Sequence, residues 1–172
     1  MIEEHANSKG RVGSQLVKIN FSLPPEDQAQ GVQEENLWAE PLGGNRFRID
    51  NIPFYVYGVS SEDVVIANEV EGRLRFQEVA IRGGHSTYRV LVKDAAGYEN
   101  KGFQNLWARL RELGCSYEVA KRCWITIDVP PDSDVFAVYR ILEEESADGG
   151  WTFEEAHCGN PKVNVQKRQP TP

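Results

Sequence analysis

Between Tyr88 and Cys158 the hydrophobic period switches from two to about three and a half and back again, twice over. That alternation leaves few folds open. Tyr88-Arg89-Val90-Leu91-Val92 is a strand-like run. Asn100 then stands where a helix N-cap belongs, and Phe103, Leu106, Trp107, Leu110 and Leu113 recur at helical spacing before Gly114. Cys115–Val119 and Cys123–Val129 read as two strands joined by Ala120-Lys121-Arg122, closed by Pro130-Pro131. A second helix is expected with Asp132 or Ser133 as its cap and Val135, Val138, Tyr139 and Leu142 on one face. Gly149-Gly150 precedes a last strand, Trp151–Cys158. The order β-α-β-β-α-β predicts a ferredoxin-like unit over residues 86–158, with both helices on one face of a four-stranded antiparallel sheet. The other face is left to the barrel-like region, to a partner or to water.

Residues 15–82 carry no helical period. Short strand-like runs are punctuated by Pro24-Pro25, Gly43-Gly44-Asn45, Asn51-Ile52-Pro53, Gly58 and Glu71-Gly72. Hairpins are expected at Gly43-Gly44-Asn45 and at Glu71-Gly72, and Phe54–Tyr57 reads as one more strand. Five or six short strands at this spacing predict a small barrel-like β domain, since closure removes exposed edges. Trp38, Phe47, Phe54, Tyr55 and Tyr57 are expected to fill its core. The fold class is thus α+β, with the barrel-like region first. Residues 1–14 and 159–172 read as disordered tails.

Composition narrows the function. The chain carries 19 Lys+Arg against 26 Asp+Glu, a net charge of −7, and hydrophobic residues make up 40%. Residues 1–81 hold 7 basic and 13 acidic side chains, net −6, whereas residues 82–172 hold 12 and 13. An extended nucleic-acid surface needs a dense basic stripe and is not expected. No apolar run reaches the roughly 20 residues of a membrane helix. Cys115, Cys123 and Cys158 are odd in number and irregularly spaced, so free thiols in a reducing cytoplasm are expected. No CxxC pair is present and His157-Cys158 alone makes no metal set, so neither metal nor cofactor is expected. Walker, dinucleotide-binding and GxSxG motifs are all missing.

The densest polar cluster is Arg82-Gly83-Gly84-His85-Ser86-Thr87-Tyr88-Arg89, at the junction of the two regions. Arg82, His85, Ser86 and Arg89 are candidate ligands for a small anion, because guanidinium groups grip carboxylates and phosphates in pairs. His85 is the candidate acid or base of an enzyme, with Tyr88 or Asp50 assisting. Tyr55, Tyr57 and Glu40 are candidate partner-binding residues, the tyrosines as anchors and the acid for a basic partner. Glu40 and Asp50 flank the first hairpin and are expected to face one another. The paired acids Glu34-Glu35, Glu62-Asp63 and Glu154-Glu155 read mostly as solvated surface. Acidity, small size and the lack of a catalytic motif favour a protein-binding module of the immunity or antitoxin kind, directed at a basic protein. An anion sensor is the alternative, and an enzyme built on His85 the second.

An ordered set of segments also carries a family resemblance. Glu35-Asn36-Leu37-Trp38-Ala39-Glu40-Pro41-Leu42, Arg48-Ile49-Asp50-Asn51-Ile52-Pro53-Phe54, Gly58-Val59-Ser60, Asp63-Val64-Val65 and Gly84-His85-Ser86-Thr87-Tyr88-Arg89-Val90 resemble a bacterial domain-of-unknown-function family, DUF4265, over roughly residues 15–158. The resemblance implies a small soluble bacterial protein. It draws attention to Asp50, Asn51, His85, Ser86, Tyr88 and Arg89 without giving any of them a role.

Overall fold

The computed structural model describes residues 15–28, 31–146, 149–161 and 163. The expected tail at 1–14 and most of that at 159–172 lie outside these residues. The fold is mixed α+β, with two largely antiparallel sheets and two helices.

The first sheet contains β1 (Val17–Ser22), β2 (Glu34–Gly43), β3 (Arg46–Ile49), β4 (Val64–Val70) and β5 (Arg73–Ile81). Neighbours in sequence pair antiparallel, and β5 returns to pair with β1 in parallel through Ile19↔Leu74 and Asn20↔Arg75, closing the ring. Both expected hairpins form. At the second, Glu71 and Gly72 take φ of 52° and 74°, the left-handed geometry that matches the twist of the flanking strands. Alternation along β1 and β2 sends Ile19, Phe21, Leu37 and Ala39 inward against Phe47, Ile49, Val65 and Ala67.

The second sheet has the order β7-β8-β6-β9, from β6 (Ser86–Val92), β7 (Ser116–Lys121), β8 (Trp124–Val129) and β9 (Trp151–His157). Helix α1 (Lys101–Glu112) follows β6, and α2 (Val135–Ser146) follows β8. Asn100 caps α1 as expected, its side chain accepting the Gly102 N–H at 2.7 Å. Phe103, Leu106 and Leu110 of α1 and Val135, Val138 and Leu142 of α2 pack on Val90, Ile125 and Ile127. This core and the first-sheet core are separate clusters.

Several expectations need correction. Neither Asp132 nor Ser133 caps α2. The Asp134 carboxylate accepts the Phe136 and Ala137 N–H groups, and the Ser133 hydroxyl instead donates to the Leu113 carbonyl at 2.6 Å. Tyr139 stays 41% exposed, because it lies at the margin of the face that Val138 and Leu142 bury. Phe54–Tyr57 is not a strand, since no strand runs beside it and its N–H groups go to a side chain. Of the five aromatics expected in the barrel core, Phe47 is buried there, but Trp38 lies on the outer face under the Lys18 ammonium, 4.6 Å from the ring centroid. Finally, the fold continues past Cys158. Asn160 is fully buried and donates to the Pro131 and Ser133 carbonyls, and Gly159 lies so close to the His85 carbonyl that a Cβ there would sit 2.2 Å from its oxygen.

Candidate functional site: the polar seam between the sheets

Strand alternation sorts the second sheet into two unlike faces. Tyr88, Val90, Ile125, Ile127, Tyr117 and Val119 face the helices. Their alternates, Thr87 and Arg89 on β6, Thr126 and Asp128 on β8, Glu118 on β7 and Glu154 on β9, share the opposite face, as the register pairs Thr87↔Asp128, Arg89↔Glu154 and Glu118↔Thr126 require. That face is polar, and Thr87, Arg89, Thr126 and Asp128 are buried. The segment joining β3 to β4, residues 50–63, covers it.

Two carboxylates hold this segment from opposite sides. Glu35 of β2 accepts the N–H groups of Phe54 (2.7 Å), Tyr55 (2.9 Å) and Val56 (2.8 Å). Glu118 of β7 accepts the Ile52 N–H at 3.1 Å. The Thr126 hydroxyl donates to the Pro53 carbonyl at 3.0 Å, Arg89 donates to the Val56 carbonyl at 2.6 Å, and the Ser60 and Thr87 hydroxyls bond at 2.7 Å. Burial raises the Glu35 carboxyl above the usual range, outweighing the three N–H bonds and the Arg89 charge. Burial also pushes Glu118 up to about 7, helped by the negative fields of Asp50, Asp128 and Glu35.

The junction residues are partnered within the chain, some in this seam and some on the other face of the sheet. His85 is only 8% exposed, and its Nδ1 donates to the Asp128 carboxylate, 2.9 Å from each oxygen. Neither Asp50 nor Tyr88 is its partner. Tyr88 faces the helix side, donates to Glu155 at 2.8 Å, and has its phenol held well above the ordinary range by burial and that bond. Asp50 is exposed, and its field reaches Glu118. Arg82 donates through one nitrogen to the Asp63 carboxylate at 3.0 Å and to the Gly58 carbonyl at 2.5 Å. Burial and the Arg82 charge together lower the pKa of nearby His157. Ser86 is buried, its hydroxyl accepting the Gly159 N–H at 3.1 Å. Arg89, 2% exposed, bonds Glu154 at 2.9 Å and stacks over Tyr57 at 4.3 Å.

The partner-binding candidates are likewise separated. Tyr55 stacks on Trp124 within the seam, and Tyr57, 42% exposed, donates to Glu154 at 2.9 Å. Glu40 does not face Asp50. Its cross-strand neighbour is Arg48, with which it forms an ion pair. Two acids read as surface prove buried, Glu35 and Asp63. Sequence reasoning missed the seam carboxylates because their partners are remote along the chain. The available signal was positional: Glu35 shares the inward register of Leu37 and Ala39.

Among the described residues no group of three His, Cys, Asp or Glu side chains is placed to hold a metal ion, and no helix is long and apolar enough to cross a membrane. A cleft of about 430 Å3 opens beside the seam, between the rim of the first sheet and residues 56–59.

The same architecture recurs in a crystal structure of a hypothetical protein from Neisseria gonorrhoeae. It has a TM-score of 0.72 at 19% identity, covering 86% of this chain and 98% of that one. No curated protein matches the chain. The domain of unknown function DUF4265 matches residues 35–153, a span that takes in both seam carboxylates and every junction residue. The chain belongs to the DUF4265 family.

Proposed function

We propose that this chain is a non-enzymatic protein-binding module of a bacterial cytoplasm, of the immunity or antitoxin kind, directed at a basic partner. We read its first half as a small barrel and its second as ferredoxin-like. The strand order β7-β8-β6-β9 with two helices on one face supports the latter. The observation that carries the functional reading is the internal pairing of the junction. Arg82, His85 and Arg89 each face a carboxylate of the same chain, and Tyr88 does too, so these groups are already committed to partners within the fold. An anion sensor at Gly83-Gly84-His85 would need guanidinium charge that Asp63 and Glu154 already match. A His85 enzyme would need open space at the ring. The first half presents Glu69, Glu71 and Glu78 to solvent.

The test is affinity capture from a native-host lysate at about 50 mM and about 500 mM NaCl, comparing the wild type with Glu69→Lys/Glu71→Lys/Glu78→Lys. A basic protein should be retained at low salt, then lost at high salt and in the reversed variant. Retention of no basic protein, or equal retention by the triple variant, refutes the reading.

A further inference from the structure

The cleft beside the seam is lined largely by apolar side chains. Its floor is the stacked pair Phe21 and Phe76, with ring centroids 4.5 Å apart, and Leu23, Val56, Val59 and Val79 complete an apolar wall. Its volume of about 430 Å3 lies within the range of ligand-binding pockets. Four polar side chains also line it, the exposed Ser22 together with Asp27, Tyr57 and Arg82. Their hydrogen-bonding states differ. The Arg82 charge is matched by Asp63. The Tyr57 hydroxyl spends its proton on Glu154, leaving an oxygen that only accepts. The Asp27 carboxylate, among the described residues, has no hydrogen-bond or ion-pair partner, although it is half-buried at the end of the short turn Pro25–Asp27. Asp27 and Tyr57 line the same cleft.

An apolar wall with an unpartnered carboxylate beside it, where the Arg82 charge is already matched by Asp63, favours one ligand chemistry. An anion would meet Asp27 and the Tyr57 oxygen. A purely apolar group would cover Asp27 without replacing its water, and leaving a charged group unpartnered is costly. A cation on an aliphatic stem satisfies both parts, with methylenes on the Phe21–Phe76 floor and charge at Asp27 beside an aromatic ring. Residues 15–81, to which most of the cleft lining belongs, hold 5 Lys+Arg and 11 Asp+Glu, which suits a side chain presented by a polybasic surface over a lone amine. We propose that this cleft seats a lysine or arginine side chain of the basic partner; the inference rests on the binding-module reading above.

The experiment is amide-resolved NMR of the full chain titrated with a Leu-Lys hexapeptide, its Leu-Glu counterpart and spermidine. The Leu-Lys probe should shift the amides of Phe21, Leu23 and Val79 saturably. Asp27→Asn should weaken that binding about tenfold. Ser22→Trp, which adds bulk at the cleft from an exposed position, should abolish it, and the Leu-Glu peptide should leave the cleft unmoved. Unshifted cleft amides, equal binding by Asp27→Asn, or equal response to Leu-Glu overturns the proposal. Spermidine shifting the same amides as strongly as the peptide overturns it too, in favour of a free polyamine. If the cleft stays silent while the Glu69/Glu71/Glu78 reversal still abolishes capture, only this inference fails.

Discussion

Truncating Glu35 tests whether the seam is held as described. Glu35→Ala removes the acceptor of three backbone N–H groups at once. Val56 is 7% exposed, so its N–H is left without water, whereas Phe54 and Tyr55 are half-buried and partly recover. An orphaned buried donor costs about 1–3 kcal/mol, and the lost side-chain volume adds to this. Relief of the buried charge, whose desolvation raises the carboxyl pKa, works the other way. The net expectation is about 3 kcal/mol, set against total stabilities of about 5–15 kcal/mol. Glu35→Gln keeps one acceptor oxygen and sheds the charge, so it should cost about 1 kcal/mol. With a urea m-value of about 2 kcal/mol/M, Glu35→Ala lowers the unfolding midpoint by about 1.5 M. Midpoints should be read by both circular dichroism and tryptophan fluorescence, so that coincident transitions license the two-state treatment. Hydrogen exchange at the Val56 amide should accelerate while that of Leu37 follows only the global loss. A midpoint change under about 0.3 M for Glu35→Ala would mean that segment 54–56 is held by something else.

Two further perturbations probe the same seam. Glu118 has a folded pKa of about 7 against an ordinary 4.5, so its contribution to stability is complete below about pH 4.5 and is lost as pH rises through about 7. Glu118→Gln should therefore be more stable than wild type by about 1–2 kcal/mol near pH 8 and nearly equal near pH 4, as read from urea midpoints across that range; a pH-independent difference contradicts the burial of its charge. Arg89→Met strands the Val56 carbonyl and removes the ion-pair partner of Glu154, which keeps the Tyr57 hydroxyl, is 42% exposed and rehydrates. A loss of about 3 kcal/mol and about 8 °C in melting temperature is expected, with Arg89→Lys restoring less than half because an ammonium lacks the guanidinium fork; full rescue by lysine would reduce the contact to simple charge.

What was readable in the chain and what was not divides along sequence separation. Turn chemistry is local, so Gly43-Gly44-Asn45 and Glu71-Gly72 announced their hairpins. Asn100 and Gly114 likewise marked the ends of α1. Helical spacing of Phe103, Leu106 and Leu110 is local too. Phe54–Tyr57 looked like a strand because its residues favour extended backbone, but the acceptor for its N–H groups lies on a residue nineteen to twenty-one positions earlier. The junction residues were found and then assigned to chemistry, since nothing near Arg82, His85 or Arg89 in sequence reveals Asp63, Asp128 or Glu154 as their partners. The acidic run after Leu142 looked unfavourable at a helix C-terminus, yet Glu144 reaches across to Arg109 of α1. A charged residue in the buried register of a strand is the pattern worth reading in such chains, and Glu35 and Arg89 both display it.

The parallel pairing of β1 with β5 has a kinetic consequence. Two register pairs, Ile19↔Leu74 and Asn20↔Arg75, close the ring, whereas β4 and β5 share seven. Hairpins joined by a tight turn zip in microseconds, but closure must bring together ends separated by the whole first sheet, and its loop entropy comes due before any contact repays it. Ring closure is therefore expected to be a late step in folding this half, and the same short line is expected to open early. Opening there uncovers two strand edges at once, so aggregation of this protein under mild heating should begin from a state in which the second sheet is still intact.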